Sequence, residues 1–312
     1  VVERGDAILG LMPLSRETRY YRRPIPHLAG WMHPYAFLGA PLIAQGHGPE
    51  FWDALIGWAD RNAGRALFLH LSELALDGPV FAGLAEVAQR RGGLAAIVYR
   101  EARALLQSDV GPEPYFTDSL SGKKRKELRR QFKRLEELGA VTVERRHDLQ
   151  GLGEWTEEFL RLEAAGWKGK AGSALASAES TAALFREALA GAAARGKLER
   201  LALRFDGRAI AMLATFLCPP GAFSYKTAFD ESFARFSPGV LLQRENLAML
   251  ERSDIAWTDS CAAADHAMID HIWRERREVG RISVAIGGPL RRTAFGLLAR
   301  AELRRRNTGA CA

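Results

Sequence analysis

Residues 222–250, AFSYKTAFDESFARFSPGVLLQRENLAML, decide the fold. Ala222–Phe229 mixes small and aromatic residues and reads as a strand, with Lys226 and Asp230 near its end. A loop then closes on Ser237-Pro238-Gly239. Val240–Leu250 reads as a helix, with Val240, Leu241, Leu247 and Leu250 supplying apolar faces. Ser237 is placed to cap this helix, Pro238 suits its first turn, and Gly239 lets a ligand come close to the backbone. A helix start has free N–H groups and a positive dipole end, which suits a phosphate. Arg235 adds a full charge. A well-capped strand–turn–helix with no ligand accounts for the same residues, so the rest of the chain has to decide.

The chain has 312 residues, enough for two domains or one large one. At 47% hydrophobic and 26% charged it has an ordinary globular composition, and no apolar run reaches the length of a membrane span. Its net charge of +7 fits an anionic ligand, a membrane surface or no specific partner. Cys218, Cys261 and Cys311 form neither a metal spacing nor a disulfide framework, so a reducing cytosol and no metal are expected. The sequence opens at Val1 without a start methionine, so targeting is not readable from it.

The first half alternates strands and helices, which predicts a mixed α/β layer domain. A hairpin over residues 1–20 turns at Gly5-Asp6. His27 and His33, in a Pro- and Gly-rich stretch, are either ligands and proton carriers or ordinary loop and core histidines. Phe51–Asn62 is a helix whose stripe is Phe51, Trp52, Leu55, Ile56 and Ala59. Strands follow at 66–71 and 94–106, with a helix at 79–91 between them. Residues 107–120, QSDVGPEPYFTDSL, form the best linker candidate.

Ser121 then starts a helix running to Gly139, in which eight of the twelve residues Lys123–Arg134 are basic. Such a face grips phosphates or anionic lipid, or is simply solvated. In the helix Leu152–Gly166, Glu163 falls on the apolar stripe of Trp155, Phe159 and Leu162. A carboxylate there is costly unless paired, and it becomes either a general base or the partner of Lys168 or an arginine. A turn at Trp167–Lys170, a helix at 180–196 and three antiparallel strands lead back to the opening stretch. After it, the strand Ile255–Ser260 runs into Cys261, Asp265 and His266, a crowd of ionisable groups at a strand end. Helix His266–Arg277, strand Arg281–Ile286 and the basic helix Leu290–Arg306 complete the chain. The last helix sets Leu290, Ala294, Leu297, Leu298 and Ala301 against arginines.

The segments SGKKRKELRRQFKRLEELG, EAAGWKGKAGSAL, YKTAFDESFARFSPGVLLQRENL and DSCAAADHAMIDHIWRERR, together spanning about residues 119–278, resemble the GNAT-type N-acyltransferases. More narrowly, the chain is similar to the CelD-like (cellulose-biosynthesis) acetyltransferases, relatives of the Fem-type aminoacyltransferases. The resemblance implies an α+β fold of two tandem GNAT-like domains, each a mostly antiparallel sheet flanked by helices. The expected division is a degenerate first copy at 1–115, a catalytic domain at 116–289 and a basic helix and tail at 290–312. In that fold the loop before the capped helix holds the pyrophosphate of acyl-CoA. FARFSPG stands here in place of the usual glycine-rich form. The long coiled-coil arm of some Fem proteins is missing, which disfavours tRNA as donor.

The resulting expectation is an acyl-CoA-dependent N-acyltransferase in which an amine attacks the thioester directly. Backbone amides of 223–229 would polarise the carbonyl. Arg235, Ser237, Pro238, Gly239, Val240 and Leu241 would hold the CoA, and Trp167, Lys168, Tyr225, Lys226 and Asp230 would face the substrates. The base is Glu163, Asp259 or His266, left open. The acceptor is expected to be a small-molecule or lipid-like amine, and the location cytoplasmic, with peripheral contact at the inner membrane surface as an extension. One alternative is a membrane-surface enzyme using a long acyl chain and a lipid-like amine. Another is a non-catalytic scaffold in polysaccharide or envelope assembly. Nucleic acid is not expected, since the basic residues lack interleaved aromatics or a reading helix.

Overall fold

The structure, a computed structural model, describes residues 1–93, 95–266 and 268–309, for 305–309 the backbone alone. The chain forms two compact units, residues 1–102 together with the chain from 277 on, and residues 103–276. The segment after 289, expected to stand by itself, therefore groups with the N-terminal residues.

The first unit opens with β1 (Val2–Arg4), β2 (Ala7–Leu11), β3 (Leu14–Glu17), β4 (His27–Gly30) and β5 (Leu42–Ile43). β1, β2 and β5 make a small antiparallel sheet, with the expected turn at Gly5 in the left-handed region, φ 58°. Helix α1 (Gly48–Asn62), strand β6 (Phe68–Ala75), helix α2 (Gly78–Arg90) and strand β7 (Ala95–Leu106) follow. α1 buries Phe51, Trp52, Leu55, Ile56 and Ala59, the stripe read from its period. Burial of each large side chain among these contributes about 1.5–3 kcal/mol.

The second unit starts with α3 (Pro112–Ser119) and α4 (Gly122–Glu136). The expected linker is thus partly helical: Pro112 sits at the helix start, where its missing N–H costs nothing, and Tyr115 and Phe116 are buried. Ser121 caps α4, its hydroxyl accepting from the Lys124 amide at 3.3 Å. β8 (Val141–Arg146), α5 (Leu152–Ala165), the short α6 (Trp167–Lys170) and α7 (Glu179–Ala193) lead to β9 (Leu198–Phe205), β10 (Arg208–Cys218) and β11 (Gly221–Phe229). A 3-10 turn at Glu231–Phe236 precedes α8 (Pro238–Asn246), and β12 (Trp257–Asp259) follows. The sheet runs β12, β11, β10, β9, β8, antiparallel except between β11 and β12. One core beneath it joins Leu135, Leu201, Leu203, Leu213, Phe236, Leu241 and Leu242.

Among the described residues the helix expected at 266–277 is absent. Residues 264–265 and 268–272 form turns, and Ile269, Ile272 and Trp273 pack into a core with Tyr115, Leu247 and Met249. Apolar spacing that suits a helix is met here by tertiary packing of successive turns. The chain then enters β13 (Glu275–Ala285), antiparallel to β6 in the first unit, and ends in α9 (Pro289–Gly309). The face of α9 differs from the expected one: Phe295 and Ala299 are buried, while Leu290 and Leu297 are exposed. The chain is a mixed α+β protein, and each unit carries a mostly antiparallel sheet with flanking helices. Among the described residues no helix is long and apolar enough to cross a membrane.

Candidate active site

β11 is paired on both edges only at its start. β12 runs parallel to it over Gly221–Trp257, Ala222–Thr258 and Phe223–Asp259 and then stops. From Ser224 to Phe229 that edge of β11 has no strand partner among the described residues. At the same level β11 bulges: Ala214 faces Lys226, while Thr215 faces Ser224, so Tyr225 is the extra residue. A bulge bends a strand and re-aims its side chains. The Tyr225 ring lies 5.0 Å from the Phe216 ring, with the Lys226 ammonium 5.9 Å from the Tyr225 centroid. Behind the bulge, the Ser224 hydroxyl accepts from Asn246 Nδ2 at 3.2 Å.

Lys168 reaches this edge from α6. Its Nζ donates to Glu163 Oε1 at 2.8 Å and to the Thr227 carbonyl at 3.4 Å. Glu163 lies on the buried stripe of α5 with its side chain 1% exposed, and its Oε2 accepts from the Leu175 amide at 2.8 Å. The pairing with Lys168, one of the two roles open from the sequence, is the one observed. The turn carrying Lys168 depends on Gly169, where a Cβ would stand 1.8 Å from the Ala164 carbonyl oxygen.

Two other ionisable groups feel the same charges. Burial holds the Lys226 ammonium below the usual lysine pKa, and the Lys168 charge adds to the shift, with Glu163 and Cys261 opposing. Burial likewise pushes His266 down from 6.5, against Asp270, with Lys168 again lowering it. His266 Nδ1 is buried and has no hydrogen-bond partner among the described residues. The Lys168 charge thus acts on both Lys226 and His266, while its ammonium reaches the open edge of β11 at the Thr227 carbonyl.

Asp259 belongs elsewhere. Its carboxylate is fully buried and held by Arg103 on both oxygens, Nε–Oδ1 and Nη2–Oδ2 each at 2.9 Å, and Oδ1 also accepts from the Cys261 amide at 2.9 Å. A fully buried carboxylate held this way, beside an equally buried guanidinium, is not exposed to a substrate, which tells against its expected role as a base. Asp230 is also committed to structure: it accepts from the Ser232 amide at 2.9 Å and pairs with Arg208. Trp167 is exposed, and its amide donates to Glu231 at 2.5 Å.

The start of α8 does not offer the expected phosphate cradle. Ser237 is left-handed, φ 53° and ψ 50°, and makes no side-chain cap. The Val240 and Leu241 amides both donate to the Ser237 carbonyl, at 2.9 and 3.0 Å. Pro238 has no N–H. Pro238 and Gly239 are buried, and a Cβ on Gly239 would lie 2.4 Å from Met268 Sδ. Arg235 is exposed, its guanidinium 4.6 Å over the Phe236 ring. Met268 therefore stands against Gly239 at the start of the helix.

The sequence reading missed Arg103. The signal was available, since Arg103 adjoins the apolar run Ala104–Leu106 of β7 as Glu163 adjoins its own stripe. Of the cysteines, Cys218 is exposed and Cys261 buried, neither in a disulfide among the described residues, while Cys311 lies outside the described residues. Among the described residues no group of His, Cys, Asp and Glu side chains could hold a metal.

Two solved structures share the fold. FemX aligns with a TM-score of 0.55 at 13% identity over 94% of this chain and 89% of its own. L-PGS from Bacillus licheniformis aligns with a TM-score of 0.52 at 13% identity over 88% of this chain and 82% of its own. No curated protein matches the chain. A family model described as an acetyltransferase (GNAT) domain matches residues 122–279, the stretch that holds β8 to β12, the bulged strand and the groups beside it. As that match spans just over half of the sequence, the chain belongs to the acetyltransferase (GNAT) domain family.

Proposed function

We propose that the protein is an N-acyltransferase that moves an acyl group from a CoA thioester to an amine by direct attack in a ternary complex. Family membership supports acyl transfer in general; the donor, acceptor and residue roles are our reading. The observation that carries it is the parting of β11 from β12 after Phe223 and Asp259, next to the bulge at Tyr225. Backbone amides along an edge that the neighbouring strand has left are pre-aimed donors for a carbonyl oxygen that gains negative charge during attack. The amine nitrogen attacks the thioester carbon and the C–S bond breaks. The nitrogen's proton passes to His266, which returns it through solvent to the CoA thiolate, so that free CoA thiol leaves.

His266 is our choice of base. Its lowered pKa keeps the imidazole neutral near pH 7, and its Nδ1 has no partner among the described residues. Glu163 ranks below it, because both of its oxygens are engaged. Lys168 and Lys226 supply positive charge for acidic parts of donor or acceptor, and Tyr225 and the exposed Trp167 line the substrate side. The first unit, outside the family match, is read as a degenerate copy of the same fold. A cytoplasmic place suits Cys218 and Cys261, neither in a disulfide among the described residues.

Calorimetric titration with acetyl-CoA and a long-chain acyl-CoA, followed by thiol release over a panel of amines, tests this reading. We expect His266→Gln to bind acyl-CoA and to lose release. Binding by the wild type without release for any amine favours the non-catalytic scaffold, and absence of binding removes acyl-CoA as donor. One observation favours a second reading, action at a membrane surface: α4 exposes Lys123, Lys124, Lys126, Arg129 and Arg130. Flotation with anionic liposomes decides it, and protein left at the bottom of the gradient removes it.

A further inference from the structure

The flank of α8, one turn past its start, carries a different feature. A pocket of about 350 Å³ opens between α3, α4 and α8, lined by Phe116, Arg125, Leu128, Arg129, Leu241 and Arg244, with Glu113 and Thr117 at its side. Its floor is apolar, since Phe116, Leu128 and Leu241 are each buried. Three guanidinium groups meet there against the single carboxylate of Glu113.

Each arginine is held differently. Arg125 donates to the Thr117 and Leu120 carbonyls at the end of α3, which fixes its position. Arg244 pairs with Glu113 at 2.8 Å and lies 5.2 Å over the Phe116 ring. Its Nε is buried with no hydrogen-bond partner among the described residues. Arg129 is exposed, one helical turn beyond Arg125 on the same face of α4, with no ion pair among the described residues. Like charges brought to one concavity repel, and a multivalent anion offsets that repulsion. Guanidinium forks on two helices over an apolar floor match a phosphate attached to an apolar or planar group.

We propose that this pocket binds the phosphate group of a phosphate ester or diphosphate ligand. The ligand's source is either a soluble phosphoryl compound such as CoA or a lipid headgroup. Anion binding here stands apart from the transfer reading, because it is measured without turnover.

The test is titration calorimetry of the whole protein at low salt with inorganic pyrophosphate and with CoA, beside co-sedimentation with phosphatidylglycerol vesicles. Two variants are compared. Arg129→Ala removes a pocket arginine that has no structural partner. Arg130→Ala removes the same charge from the neighbouring position on α4, which pairs with Glu127 on the surface. We expect binding that weakens tenfold or more in Arg129→Ala and less than threefold in Arg130→Ala. Pyrophosphate and CoA binding with this pattern identifies a soluble ligand; the same pattern with vesicles alone identifies a headgroup. Equal loss in both variants means diffuse attraction to α4 and overturns the pocket, as does absence of binding to all three probes.

Discussion

Asp259 and Glu163 are both buried carboxylates paired with a basic side chain, and their surroundings divide them. Asp259 is closed on all sides: its partner Arg103 is 3% exposed, and a backbone amide takes up further acceptor capacity. Glu163 is equally buried, but its partner Lys168 is 24% exposed and reaches the open edge of β11. One pair locks the end of β12 against β7, where Thr258 and Asp259 face Leu106 and Leu105. The other leads from the core to the place where those strand contacts have ended. A buried charge marks a reactive site when its partner is accessible, and a structural one when the whole pair is sealed.

The sealed pair should give the largest effect. Arg103→Ala leaves Asp259 charged and unpaired, and we expect a loss of about 3–5 kcal/mol in urea unfolding. The double change Arg103→Met with Asp259→Leu should restore much of that loss. Wild-type stability in Arg103→Ala would break the contrast.

His266→Gln should act on rate alone. Loss of a general base lowers turnover about 10²–10⁴-fold, with an unchanged urea midpoint. Because burial lowers the His266 pKa, the imidazole stays neutral below its ordinary 6.5. The acid limb of kcat/KM for the wild type should therefore fall below pH 6.5, and a limb at or above that value assigns the titration to another group.

A buried ionisable group with no charged partner supplies a third case. Burial first, then the nearby His27 and Arg281, hold His70 at about 4, and its Nδ1 lies 3.0 Å from the Ser283 hydroxyl. Below 6.5 the unfolded chain takes up a proton at His70 that the folded chain refuses until about pH 4. Stability is thus full above 6.5 and is lost as pH falls through that window, by about 3 kcal/mol at most. His70→Gln should flatten this part of the stability–pH curve, and an unchanged slope contradicts the assignment.

The smallest change is Gly169→Ala. The added methyl meets the Ala164 carbonyl, and the turn must shift at a cost of about 1–3 kcal/mol. Since that turn carries Lys168, we expect the rate to fall more than stability alone explains. A fully active Gly169→Ala protein would separate Lys168 from the chemistry.

Local patterns told much of this in advance. The stripe of α1, the misplaced Glu163 and the turn at Gly5 were legible because each is set by residues a few positions apart. What the sequence did not disclose depends on distant partners or on backbone detail. Arg103 meets Asp259 across 156 positions, and Arg244 joins Arg125 only once α4 and α8 pack. The bulge at Tyr225 has no side-chain signature. Ser237 looks like a cap in the sequence, but its backbone is left-handed and its hydroxyl makes no cap bond to the first amides of α8. The place of Met268 against Gly239 follows from a segment whose spacing imitates a helix.

Hydrogen–deuterium exchange with and without acetyl-CoA tests the central claim most directly. Amides within 224–229, on the edge that β12 leaves open, should exchange more slowly when the thioester is bound, while those of 200–205 in β9, already paired on both sides, should not change. Unaltered exchange at 224–229 with acetyl-CoA at saturation would contradict the placement of acyl transfer on this strand.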